Sequence, residues 1–295
     1  MIEVRAPATS ANLGSGFDVF GIALDKPADI IRVEKASSTS IEVRGTGSQY
    51  IPNDPRKNTA GKVAEELEAP ASITIDKGVR PSSGLGSSAA SAAGVAVALN
   101  ELYGLGLSKN TLVEAAAQGE KLVSGDAHDD NVAPCIHGGF TVSGLNKPTV
   151  SFDTDFHCVI ALPDLIISTE DARNALPEKV KMEERSETVA DASRVVAGVL
   201  KNDIELMASG MVDEVVERVR APLIEGFAQA RKHAEDAGAE AVTISGAGPS
   251  ILCICRKERK SRVAEAAIEG FWKSDVKAKA YQARVGDGVQ ITNRR

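Results

Sequence analysis

Pro81-Ser82-Ser83-Gly84-Leu85-Gly86-Ser87-Ser88-Ala89-Ala90 leads into the most apolar stretch of the chain, Ala89–Leu99. Glycines at 84 and 86 let the backbone approach a ligand closely, and the alanines beyond predict a helix from about Ser87 to Tyr103, stopped by Gly104. A helix starting on such a turn leaves its first N–H groups unpaired. With the positive end of the helix dipole, those groups suit an anion such as a triphosphate. The serines add hydroxyls for phosphate or magnesium. The spacing is not a Walker A loop, because no Gly-Lys-Ser/Thr follows. Read alone, the segment also fits a helix cap packed tightly through small side chains.

Around this loop the chain alternates between two periods. Strands are predicted at Ile2–Arg5, Ile30–Glu34, Ile41–Arg44 and Ser72–Asp76, and helices at Lys57–Glu68 and Ser108–Val123. The segment Ser124–Gly144 reads as a glycine-rich loop with a short strand at Phe140–Val142. After Lys147-Pro148 the pattern restarts with a buried strand at Cys158–Leu162 and helices filling Glu184–Ala237. Two strands, Ala241–Ser245 and Ile251–Cys255, are split by Gly246-Ala247-Gly248-Pro249; a helix near Arg262–Trp272 and a strand near Lys277–Arg284 follow. Strands with helices segregated around them indicate α+β, in two domains covering residues 1–150 and 151–295.

The 295 residues allow an ample core. A net charge of −7, from 34 basic and 41 acidic residues, with only 4% aromatics, argues against a general nucleic-acid binder. Phosphates must then be held by local devices rather than by the overall field. The start, Met-Ile-Glu-Val-Arg-Ala-Pro, has neither the basic nor the apolar part of a secretory leader, and Ala89–Leu99 is too short to span a bilayer. Neither a membrane nor an oxidising compartment is expected, so a cytoplasmic enzyme is. The four cysteines lack CxxC spacing, and Cys253 and Cys255 share one face of a strand, which predicts buried thiols.

Two more segments stand out. Arg5-Ala6-Pro7-Ala8-Thr9-Ser10-Ala11-Asn12-Leu13-Gly14-Ser15-Gly16-Phe17-Asp18 follows an N-terminal strand and suits a ligand-contacting turn. Its Asn and Asp fit an ordinary turn equally well. Thr243-Ile244-Ser245-Gly246-Ala247-Gly248-Pro249-Ser250 reads as a glycine turn of a hairpin.

In order and position these three segments resemble the three motifs of the GHMP kinases. The resemblance implies an N-terminal domain like domain 2 of ribosomal protein S5, a ferredoxin-like C-terminal domain, and an active site between them. It implies ATP on the loop Pro81, Ser82, Ser83, Gly84, Leu85, Gly86, Ser87, Ser88 and Ala89, with Mg2+ held by Ser88, and Ser87 as a second candidate, together with Glu120. One departure is Arg80, where the family usually has an aliphatic residue; an effect on local packing is expected. Glu120, His128, the run Asp130-Asn131-Val132-Ala133-Pro134 and Gly138-Gly139 resemble the branch that phosphorylates the hydroxyl of L-homoserine, a step toward threonine. Mevalonate kinase and galactokinase carry different residues there.

By that resemblance Asn12, Asp18, His128, Asn131, Thr169, Arg173, Arg220 and Gly246 contact the amino acid. Asn131, Asp130, Arg173 and Arg220 serve the reaction, mainly by positioning and charge stabilisation. Asp130 occupies the place of a base in mevalonate kinase, and whether it or solvent takes the hydroxyl proton stays open. Homodimers are usual among such relatives. The competing expectations are a GHMP kinase for another small alcohol, such as mevalonate or shikimate, and a catalytically inactive sensor of ATP and a metabolite.

Overall fold

A computed structural model of the chain describes residues 1–124, 129–144 and 147–295. Seven strands of the described residues form one sheet and four form another.

The first sheet runs β11 (Gln290–Arg294), β1 (Ile2–Ala11), β2 (Phe20–Lys35), β4 (Ala71–Lys77), β3 (Ser40–Gly45), with β5 (Phe140–Gly144) and β6 (Lys147–Phe152) continuing from β2. Only the β3–β4 pair is parallel. β1 and β2 extend well past the strands expected from sequence. Proline disrupts regular pairing within a sheet, yet the β1–β2 ladder absorbs Pro7 and Pro27 through a register shift between Pro7 and Thr9. Strand β11 was not foreseen; with Ile291 as its one apolar side chain in five residues it is too short for a clear period-2 signal, and it returns the chain to β1.

Against this sheet lies α2 (Ser87–Tyr103), flanked by α1 (Thr59–Glu66), α3 (Lys109–Ser124) and α4 (Asp129–His137). Apolar contacts surround α2 on several sides, so its alanines are buried right round the helix rather than in one stripe. Gly94 belongs to that packing, since a Cβ there would lie 2.2 Å from Ile31 Cδ1. α4 corrects the expectation of a loop over Ser124–Gly144. Pro134 and Gly138-Gly139 suggest a break, but Val132, Ala133, Cys135 and Ile136 are buried together and stabilise the helix by packing. Gly21 makes room for it: a Cβ there would stand 2.0 Å from the Asp130 carbonyl oxygen and 2.7 Å from Pro134.

The second sheet is antiparallel, in the order β10 (Ala278–Arg284), β7 (His157–Pro163), β9 (Ile251–Cys255), β8 (Ala239–Ile244). Fourth, first, third, second is the ferredoxin-like order. α9 (Phe227–Asp236) and α10 (Lys260–Trp272) pack together beside it over a core of Phe227, Ala230, Val263, Ala267 and Phe271. α5 (Thr169–Asn174), α6 (Met182–Lys201), α7 (Ile204–Gly210) and α8 (Val216–Arg220) connect β7 to α9. All four cysteines are free and buried.

Candidate active site

The glycine turn between β8 and β9 meets the loop before α2 backbone to backbone. Gly84 has φ +76, and a Cβ on it would approach Ser245 O to 2.4 Å. Ser245 Oγ donates to Gly84 O at 2.7 Å and lies 2.8 Å from Ser10 Oγ of β1, so the three motif segments are stitched at one point. A cavity of about 380 Å³ opens beside this seam.

One wall is the start of α2. Gly86 caps the helix in the left-handed region, with φ 62, and no side chain caps the exposed amides of the first turn. Leu85 and Ala89 send their side chains into the core, so only their backbones are available to a ligand at this wall. Ser87 Oγ is spent on Val79 O at 2.8 Å. Ser88 Oγ instead donates to Glu120 Oε2 of α3 at 2.7 Å, which separates the two serines considered from sequence. Burial pushes the Glu120 carboxyl up to about 7, against the opposing pull of the Ser88 hydrogen bond and the Lys77 charge.

Beneath this wall sits a buried ion pair that sequence reasoning missed. Lys77, the last residue of β4, pairs with Asp29 and donates from Nζ to Ser87 O at 2.6 Å and Ser91 Oγ at 3.0 Å. Asp29 Oδ1 in turn accepts from the amides of Gly78 and Val79 at 2.9 and 3.0 Å. The pair thus ties two strands to the first turn of α2. A lysine ending an alternating strand gives no signal of burial. The cavity rim formed by Tyr50, Pro52 and Asn58 was missed as well, because it lies on irregular chain between β3 and α1.

The opposite wall is polar. Asn12 Nδ2 donates to Gly246 O at 2.8 Å and its Oδ1 accepts from Asp18 N at 3.1 Å, so its amide clasps the first and third motif segments together. Arg173 of α5 donates to Asp18 Oδ2 at 2.7 Å. Arg220 is buried; its Nε donates to Ala172 O at 3.0 Å and its Nη1 to Gly246 O at 3.2 Å. Thr169, in the first turn of α5, lines the rim. Asn131 accepts from Thr9 Oγ1 at 2.7 Å and points its amide nitrogen to Asp130 Oδ1 at 3.4 Å. Burial, reinforced by the Asp18 charge, pushes the Asp130 carboxyl up to about 7. His128 lies outside the described residues. The Arg80 guanidinium bridges to Asp164 at 3.1 Å, a contact between the segment before α2 and the residue after β7.

Among the described residues no three His, Cys, Asp or Glu side chains gather into a metal cage, and no helix is long and apolar enough to cross a membrane. The hard oxygen pair Ser88–Glu120 lines the cavity wall. It fits Mg2+, which takes few protein oxygens and completes its shell with phosphates and water.

The GHMP kinases N terminal domain family matches residues 56–139 and the GHMP kinases C terminal family residues 195–273. The chain is 56% identical to a homoserine kinase of Halorubrum lacusprofundi over 99% of both chains. It is 54% identical to that of Haloarcula marismortui, over 99% of this chain and 100% of the relative. The crystal structure of homoserine kinase from Cytophaga hutchinsonii superposes with a TM-score of 0.89 at 34% identity, covering 98% of this chain and 96% of the other.

Proposed function

The chain belongs to the GHMP kinase family, and from that premise we propose that it transfers the γ-phosphoryl group of ATP to the side-chain hydroxyl of L-homoserine. The product is O-phospho-L-homoserine, for threonine synthesis. One observation carries the reading: a single cavity is shared by the glycine-rich turn before α2, the Ser88–Glu120 pair and a cluster of two arginines, two aspartates and Asn131.

The amino acid brings an ammonium, a carboxylate and a hydroxyl. Asp18 suits the first, Arg173 and Arg220 the second, and Asn131 the third. Mevalonate and shikimate carry a carboxylate but no ammonium, and so use only half of that charge pattern. The first-turn amides of α2, with the helix dipole, cradle the phosphates. Ser88 and Glu120 would hold Mg2+, which would supply charge neutralisation at the phosphates. Phosphoryl transfer asks chiefly for alignment and neutralisation, and the fixed loops provide both. Residues 1–150 supply the nucleotide wall and residues 151–295 the arginines. A cytoplasmic homodimer completes the reading, and sedimentation of the purified protein tests the dimer.

The deciding experiment follows ADP release from Mg-ATP with L-homoserine, mevalonate, shikimate and no acceptor. Homoserine-dependent turnover that disappears in Glu120→Ala is expected. Turnover only with another alcohol would discard the substrate, and ATP binding without turnover would favour a sensor.

A further inference from the structure

Both arginines of the polar wall lie over the same aromatic ring. The Arg220 guanidinium carbon is 5.1 Å from the centroid of Phe17, and that of Arg173 is 5.5 Å from it. The ring is half-buried and comes from the tightest part of the first loop. Gly16 O accepts from the amides of both Val19 and Phe20, and a Cβ on Gly16 would run into the Phe20 ring at 2.0 Å. Asp18, directly after Phe17, has φ 57 and its amide is held by Asn12. The backbone therefore presents Phe17 and Asp18 to the arginines as one rigid unit.

Two guanidiniums lining one cavity repel each other, and burial together with the Arg173 charge pulls Arg220 below its usual value. Asp18 pairs with Arg173, and the carbonyls of Ala172 and Gly246 hold Arg220, while the Phe17 ring lies against both guanidiniums. A further carboxylate would pair with the cations and repel the ligand. The face of an aromatic ring attracts cations through its quadrupole and carries no net charge. We propose that Phe17 is a positioning residue for substrate binding: its ring holds Arg173 and Arg220 at a fixed spacing, so that the two guanidiniums meet the substrate carboxylate together. This rests on the reading that the two arginines bind that carboxylate.

The test uses the full chain with Phe17→Leu and Phe17→Tyr. The leucine variant should raise KM for L-homoserine about tenfold while KM for ATP stays within about twofold, and tyrosine, which keeps the π face, should stay close to wild type. A second readout needs no substrate. In spectra of 15N-arginine protein, assigned with Arg173→Lys and Arg220→Lys, the ring current of Phe17 should shift both side-chain Nε–H signals. Leucine should abolish that shift and tyrosine preserve it. A wild-type spectrum without the shift overturns the proposal whether or not the leucine variant folds. So does a leucine variant with unchanged KM for homoserine, or one in which both KM values rise together. Absence of homoserine turnover in the wild type would sink the functional reading instead, and the arginine signals would still decide the role of Phe17.

Discussion

The Thr9 hydroxyl of β1 donates to Asn131 Oδ1 at 2.7 Å, joining the first strand to the first turn of α4. This bond fixes which way the amide of Asn131 points, carbonyl toward Thr9 and nitrogen toward Asp130. The backbone N–H of Thr9 bonds to Leu85 O at 3.1 Å, so Thr9 sets Asn131 and the glycine-rich loop before α2 in one frame.

Thr9→Val keeps the shape, removes the donor and leaves a carbonyl oxygen of Asn131 without its partner. Loss of that alignment is expected to lower kcat by about tenfold to a hundredfold. Thr9→Ser restores the hydroxyl and should recover most of it. Steady-state assays of the two variants check this; equal kcat for valine and wild type would show that Asn131 is oriented by something else.

Ser88 and Glu120 make a separate prediction. Ser88→Ala should raise the Mg2+ concentration for half-maximal activity by at least about tenfold. Glu120→Gln keeps the size and the hydrogen bond but loses the charge. Calorimetric titration with ATP should show Mg2+ strengthening binding to the wild type and leaving the glutamine variant unaffected. Equal strengthening in both would move the cation elsewhere.

Much of this site is legible in the amino-acid order itself. Gly84 and Gly86 sit at φ +76 and +62; Gly84 lets the loop approach the backbone of the third segment, and Gly86 lets it approach Thr9 of the first segment and Asn131, so three separated glycine runs in one chain were signals of a single seam. The roles of Asp18, Arg173 and Arg220 came from family resemblance; salt-bridge chemistry alone would have left both arginines on the surface. Lys77 and Phe17 escaped because their partners lie in other segments: burial of a lysine, or of a ring against two cations, is a tertiary fact with no local period. The helix α4 was hidden for a related reason, since packing of its apolar face overrides the proline within it.

Asp130 predicts a stability that falls as pH rises. Its carboxyl titrates at about 7 in the fold against an ordinary 3.8. Between those values the folded state holds a proton that the unfolded chain has released, so stability is greatest at the acid end of the window and declines toward neutrality. Above the window the fold carries a buried charge. Asp130→Asn removes it and should be more stable than wild type at pH 8 by on the order of 3 kcal/mol, with the difference shrinking toward pH 4. Urea unfolding of both proteins at pH 5 and pH 8 measures this. The neutral amide should also lower activity, the usual cost of relaxing a strained site. A pH-independent difference would place the origin of the gain outside Asp130's titration.

Lys77 and Asp29 give the sharpest structural test, because each is almost wholly buried and each has a second job. Lys77→Met leaves the Asp29 charge uncompensated in the core and frees Ser87 O, and should cost about 3–5 kcal/mol. The fault then lies in the stranded charge rather than in the missing amine. Adding Asp29→Asn removes the charge while its amide oxygen still accepts from Gly78 and Val79, so the double variant should be more stable than Lys77→Met alone. Urea midpoints at constant slope give the comparison. Activity should stay low in both variants, because neither restores the ammonium that ties Ser87 at the head of α2. Equal stability of the single and double variants would mean that solvent reaches Asp29 once the lysine is gone, and that the pair serves the loop above it more than the core around it.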